Sequence, residues 1–283
     1  MLRFLSRAKT PSSAIPSAEA RAGFRKAQRL AYECVQAIAS EVREGMTERQ
    51  IAKKLGDWLG DHGAHLFLHT PLCWIGSHSR FDGYNERHGE YLPSDRVLGA
   101  DDIFILDVSP AVDGYIGDIG YTTSLKPQPA LDDAMRFLLT LREEIPTLFS
   151  NERTAEAIWA RIHRTIVSAG YDNCHALYPM RVLGHRVYRV PAWLERASLP
   201  RAPFGFLGAN WFSTQATLKF LQHGFVGELL TPSHSGTLEG LWAIEPHIGG
   251  RGFGAKFEEL LIVENGRAHW LDDEVPHVTR VRV

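Results

Sequence analysis

Long apolar runs are missing from this 283-residue chain, and so is a dominant charge of either sign. No stretch approaches the ~20 consecutive apolar residues of a membrane-spanning helix, so no membrane partner is expected. A balance of 31 basic against 33 acidic residues gives a formal charge of −2. That excludes a general electrostatic pull toward nucleic acid, and the basic cluster from Arg181 to Arg189 reads as a solvated face or a substrate contact. Cysteine is scarce: Cys34, Cys73 and Cys174 are too few and too scattered for a disulfide framework, which favours a cytoplasmic setting. Residues 1–18 contain no Asp or Glu but carry Arg3, Arg7 and Lys9, a faint likeness to a transit peptide. Pro11 and Pro16 argue against a long helix there, so a flexible N-terminal arm over 1–18 is expected, followed by a single domain over 19–283.

Hydrophobic residues make up 44% of the chain, enough for a substantial core. Helical periodicity runs over Ala18 to Val42, then over Glu48 to His62 behind Thr47 as N-cap, and again over Asp132 to Phe149 and Thr154 to Ala169. Each helix pair precedes a hairpin signal. The expected class is α+β, two pseudo-symmetric helix-helix-hairpin halves with helices backing a curved antiparallel sheet.

Both hairpins carry acids in otherwise apolar strand material. Asp107 ends the run Ile103-Phe104-Ile105-Leu106, and Asp118 sits in the return run, with the turn Asp113-Gly114 near their midpoint at 112.5. Glu245 follows Leu241-Trp242-Ala243-Ile244, Glu258 precedes Leu260-Leu261-Ile262-Val263, and their midpoint, 251.5, falls among Gly249, Gly250, Gly252 and Gly254. Residues equidistant from a hairpin centre face one another, so each turn would aim two carboxylates at one spot. Glu259 rivals Glu258, because a one-residue change of register swaps their faces. Capping or exposed acids are the plain alternative, but unpaired acids are costly to bury, and four that converge call for cations. Gly184-His185 lies between the hairpins, and an imidazole is a common nitrogen complement to carboxylates on Zn, Mn, Fe or Co.

The order Asp107, Asp118, His185, Glu245, Glu258 comes with characteristic local strings: Arg25-Lys26-Ala27, Gly45-Met46-Thr47-Glu48, His88-Gly89, Ile105-Leu106-Asp107, Gly117-Asp118, Ile244-Glu245-Pro246 and Phe257-Glu258. Together they resemble the M24 metallopeptidase family of methionine aminopeptidase, prolidase and aminopeptidase P, with its pita-bread fold, from about residue 20 onward. The resemblance implies two divalent metal ions (Mn, Co, Fe or Zn), with Asp107 chelating one, Asp118 and Glu258 bridging both, and His185 and Glu245 completing the set. It implies that His88 contacts the scissile amide region, that Glu245 handles a proton, and that Phe67, Cys73 and Trp74 lie on the segment forming a side-chain pocket, where ordinary core is the alternative. The 13-residue spacing from Glu245 to Glu258 is similar to prolidases, whereas the lack of a preceding domain is similar to methionine aminopeptidases, so the subfamily stays open.

The chain departs from the pattern after His185. The family's second catalytic histidine is missing from Arg186-Val187-Tyr188-Arg189-Val190-Pro191-Ala192, and the long stretch to Glu245, rich in proline and aromatics, reads as a substrate-loop insertion over 190–235. His223, His234 and His247 are candidates to replace that histidine, His223 having the most prolidase-like spacing and His247 sharing the strand face of Glu245. Three functions follow. The first is an aminopeptidase or Xaa-Pro-type peptidase cleaving the N-terminal amide of short peptides. The second is a non-peptidase metalloenzyme on a small metabolite, by C–N hydrolysis or iron-dependent oxidation. The third is a non-catalytic binding module. A homodimer is compatible with all three.

Overall fold

The computed structural model describes residues 15–82, 91–152, 154–190 and 229–281. The expected N-terminal arm and substrate-loop insertion lie largely outside these residues, and His88 and His223 lie wholly outside them.

Helix α1 (Ala18–Glu41) starts at Ser17, whose side chain accepts a hydrogen bond from the Ala20 N–H, and buries Phe24, Ala27, Ala31, Val35 and Ile38 at three- and four-residue spacing. Helix α2 (Glu48–Asp61) starts with a full capping box between Thr47 and Gln50. Next come β1 (Leu66–Phe67), β2 (Leu72–Ile75), β3 (Ile103–Val108), β4 (Pro110–Val112), β5 (Tyr115–Ile116) and β6 (Ile119–Ser124). The second half repeats the plan with α3 (Pro129–Asn151) and α4 (Ala155–Ser168). Helix α3 begins three residues before its expected start because Pro129 is well suited to the first helical turn. Its strands are β7 (Asp172–Asn173), β8 (Gly184–Arg186), β9 (Leu229–Leu230), β10 (Gly240–Ile244), β11 (His247–Gly250), β12 (Phe253–Lys256), β13 (Glu259–Glu264) and β14 (Arg267–Trp270), with α5 (Pro276–Val281) after them.

All strand pairings are antiparallel, and the principal ladders run β2-β3-β6 in the first half and β14-β13-β10-β8-β9 in the second. One apolar cluster joins α1 and α2 to β2 and β3 through Val35, Leu55, Leu59, Ile75 and Leu106. Another joins α3 and α4 to β10 and β13 through Leu138, Ile145, Ile162, Trp242 and Leu261. Each half thus buries its helical stripe against one sheet face and leaves the other face for the acids.

The register decides which side chains meet. In the second half Ile244 pairs with Glu259 and His247 with Lys256, which sets Glu245 across from Glu258 as expected. Glu259 turns to the opposite face, where it meets Arg142 of α3 at 2.6 and 2.7 Å and lies 2.5 Å from His277 of α5. In the first half the expected pairing needs correction. Asp107 pairs with Gly120 and Ala111 with Ile116, so the reversal centres at 113.5, one residue late. Asp118 is therefore diagonal to Asp107, not opposite it. A two-position offset keeps the same strand face, so both carboxylates still point the same way. The bend beside Asp118 packs tightly on α1: a Cβ on Gly117 would lie 2.3 Å from the backbone carbon of Ala27.

Glu48 ties α2 to the sheet. Its buried carboxylate accepts hydrogen bonds from the Ile75 N–H at 2.8 Å and from the Ser94 N–H and Oγ at 2.9 and 2.6 Å, with His78 Nδ1 at 2.7 Å. Burial alone would raise its pKa, but His78 and Ser94 outweigh burial and leave it below the ordinary carboxylate range. A depressed folded pKa gives stability that is present above pH ~4.5 and lost as pH falls through the folded value. Glu48→Gln should cost about 1.5–3 kcal/mol at neutral pH. It should also flatten the acid limb of a urea-midpoint profile; an unchanged limb would contradict this assignment.

Candidate metal centre

Five residues from five points along the chain converge on the open sheet face. Asp107 comes from the end of β3, Asp118 from the bend before β6, His185 from β8, Glu245 from the break between β10 and β11, and Glu258 from that between β12 and β13. All five are buried. His185 Nε2 lies 3.0 Å from Asp118 Oδ2 and 3.8 Å from Glu258 Oε1.

Two further side chains enter the same volume. His69, between β1 and β2, places Nε2 3.1 Å from Asp107 Oδ1 and 3.3 Å from Asp118 Oδ1. Lys256 of β12 places Nζ 2.7 Å from Asp107, 2.9 Å from Glu245 and 3.0 Å from Glu258. Sequence reading overlooked both. Lys256 carried a usable signal, because it stands two residues before Glu258 and alternation puts both on one face. His69 carried none, since its approach depends on how the segment before β2 crosses the sheet.

The electrostatics follow from packing like charges in a dry volume. Burial raises the Glu258 pKa well above the ordinary carboxylate range, and Asp118 and Glu245 add to the effect. Burial also raises Glu245 despite the opposing charge of Lys256. Asp118 goes the other way: burial would raise it, but hydrogen bonds from His185 and His69 hold it well below that range. Burial would lower both imidazoles, yet the neighbouring aspartates leave His69 and His185 raised. Lys256 is likewise raised, its burial outweighed by Asp107, Glu245 and Glu258.

Three buried carboxylate oxygens, Asp107 Oδ1, Glu245 Oε1 and Glu258 Oε1, lack a hydrogen-bond partner. Buried polar atoms are seldom left so, and acceptors aimed into a shared space are what a cation needs. Among the described residues two sets have ligand atoms within 4.8 Å of one another: His69, Asp107 and Asp118, and Asp118, His185 and Glu258.

The remaining candidates separate. Cys73 and Phe67 belong to the apolar cluster under α1 and α2 and are not brought to the centre. Trp74 lies on the opposite strand face from Cys73, with its ring centroid 6.0 Å from Lys256 Nζ. His234 packs edge-on against Trp242, which alternation turns away from Glu245. His247 lies on the Glu245 face, buried, with Nδ1 2.9 Å from the Tyr178 hydroxyl. Burial, aided by Lys256, keeps its pKa well below that of a free imidazole.

The model of metallopeptidase family M24 matches residues 22–265. The chain belongs to that family. No curated protein matches it at the level of sequence. Among solved structures it is similar to an X-Pro aminopeptidase from Thermotoga maritima MSB8, with 16% identity and TM-score 0.66 over 93% of this chain and 63% of that one. It is similar to a prolidase from Pyrococcus furiosus at 18% identity and TM-score 0.64, covering 93% of this chain and 66% of that one. A dipeptidase from Pyrococcus horikoshii OT3 gives 20% identity and TM-score 0.64, over 93% and 62% respectively. The chain thus spans 62–66% of the length of these three structures, and the likeness shows the pita-bread fold.

An M24 metal fits the residues present: an imidazole, four carboxylates and three unpartnered oxygens form a donor set for a hard or borderline divalent ion. Mn²⁺ should therefore stabilise the folded chain, by about 2.7 kcal/mol at a hundredfold excess over its Kd. Asp118→Asn, which alters the residue common to both donor sets, should remove the shift in a thermal melt. A wild-type Tm insensitive to Mn²⁺, Co²⁺, Fe²⁺ and Zn²⁺ would contradict the reading.

Proposed function

We propose that this M24 protein is a divalent-metal-dependent hydrolase cleaving the N-terminal amide of short peptides, with Xaa-Pro peptides among its substrates. The observation that carries the reading is the convergence of Asp107, Asp118, His185, Glu245 and Glu258 on one buried volume whose free carboxylate oxygens call for a cation. The names of the similar structures, an X-Pro aminopeptidase and a prolidase, favour that substrate class.

A bound divalent ion supplies Lewis-acid polarisation of the scissile carbonyl and activation of water. The protein's own groups supply the rest. Asp118, Glu258 and His185 would hold such an ion, with Asp107 and Glu245 beside them. Glu245, whose burial raises its pKa and so makes its carboxylate the stronger base, is suited to accept a proton from water and return it to the leaving amine. Of the candidates to replace the histidine missing after His185, His247, kept neutral and hydrogen-bonded to the Tyr178 hydroxyl, is the described one on the face of Glu245. Trp74, buried edge-to-face against Phe81 at 4.9 Å, remains part of the proposal as a substrate contact. His88 and the 190–235 segment remain part of the proposal as substrate contacts.

A second reading, C–N hydrolysis of a small metabolite, is favoured by the departure from the family pattern after His185. One assay separates them. Protein reloaded with Mn²⁺ or Co²⁺ should cleave Met-Ala-Ser or an Xaa-Pro dipeptide and lose activity on chelation. Glu245→Gln should lower kcat by about 10²–10⁴. Metal-loaded protein that cleaves no peptide would overturn the peptidase reading and leave the metabolite reading in place.

A further inference from the structure

Lys256 is built into the centre along its whole length. Its backbone is clamped to β6, with the N–H donating to Thr122 Oγ1 at 2.9 Å and the carbonyl accepting from the same hydroxyl at 2.8 Å. Its stem crosses Gly120, the residue paired with Asp107, where a Cβ would lie 2.4 Å from the Lys256 Cε. Any larger residue at 120 would displace the stem. The ammonium ends within hydrogen-bond distance of Asp107, Glu245 and Glu258 together. A buried ammonium with three carboxylate partners, threaded past a glycine, is a fixed cation.

That cation takes up oxygens that a second metal ion would need. Asp107 gives Oδ2 to Lys256, while its Oδ1 makes no hydrogen bond and has His69 Nε2 3.1 Å away. Lys256 also takes Glu245 Oε2 and Glu258 Oε2, leaving Glu245 Oε1 and Glu258 Oε1 without a hydrogen bond, the latter beside His185 and Asp118. Of the two donor sets, Asp118, His185 and Glu258 is the one that does not draw on Asp107. An ion on the Asp107 side would share that carboxylate with a covalently tethered charge, and like charges so close in a dry volume repel strongly.

We propose that the Lys256 ammonium stands in for one of the two metal ions, so that the centre binds a single divalent ion through Asp118, His185 and Glu258. The inference rests on the metal-dependent reading above but not on peptide turnover. Lys256 is a positioning and charge-neutralising residue in this account.

The test is metal stoichiometry, read without activity. The full chain is stripped with a chelator, reloaded with excess Mn²⁺, desalted, and analysed for Mn per chain and by EPR. Wild type should carry one Mn²⁺ with the six-line signal of an isolated ion. Lys256→Met, which removes the charge and keeps the bulk, should carry two, with the broadened signal of an exchange-coupled pair. Should that variant not fold, Gly120→Ala provides the second arm: it retains every charged group, displaces the stem, and should also raise the ratio from one toward two. Two ions in the wild type would overturn the inference and leave the metallohydrolase proposal standing. A ratio fixed at one in a folded variant would also overturn it. No Mn²⁺ in any form would sink both, whereas one Mn²⁺ without peptide cleavage would support the inference while removing the peptidase proposal.

Discussion

Four buried carboxylates facing one another are a source of repulsion that a fold sustains only by supplying positive charge. Here Asp107, Asp118, Glu245 and Glu258 meet in such a volume, and Lys256, His69 and His185 are the groups that approach them. Removing one partner from a buried charge network typically costs 3–5 kcal/mol, because the remaining charge is left uncompensated. Much of the architecture places these groups. The breaks between ladders aim the acids, α1 packs on the bend beside Asp118, and Thr122 and Gly120 guide Lys256. A divalent ion at the free oxygens would relieve the remaining repulsion, and the same relief would couple metal binding to stability.

The two halves solve the same packing problem with different tolerances. In each, a helix pair covers one sheet face, so the acids can occupy only the other. Behind the centre, Glu259 is one residue from Glu258 yet belongs to a separate network with Arg142 and His277. That network secures α3 and α5 to β13 and fixes the register on which Glu258 depends. Adjacent glutamates thus have opposite tasks, one structural and one facing the centre, decided by strand alternation alone.

The helices were legible because their apolar spacing and caps are local; Thr47 with Gln50 is a complete instruction for starting α2. The convergence of Glu245 and Glu258 was legible for a similar reason, since the glycines around 251 fix a symmetric reversal. For Asp107 and Asp118 the face was right and the pairing was not, because Asp113 and Gly114 place the turn one residue later than the midpoint of the acids. Lys256 lay within reach of alternation, but its partners come from three other positions along the chain, and only tertiary structure says that a lysine on that face ends among acids. His69 depends on a crossing segment with no periodic pattern, so nothing in the local sequence marked it.

That these buried acids and His185 hold a divalent ion is best checked by anomalous diffraction from crystals of the Mn²⁺-loaded chain. A manganese peak should appear at coordination distance from Asp118, His185 and Glu258. Manganese found only at the surface, with those three side chains bound to one another instead, would contradict it.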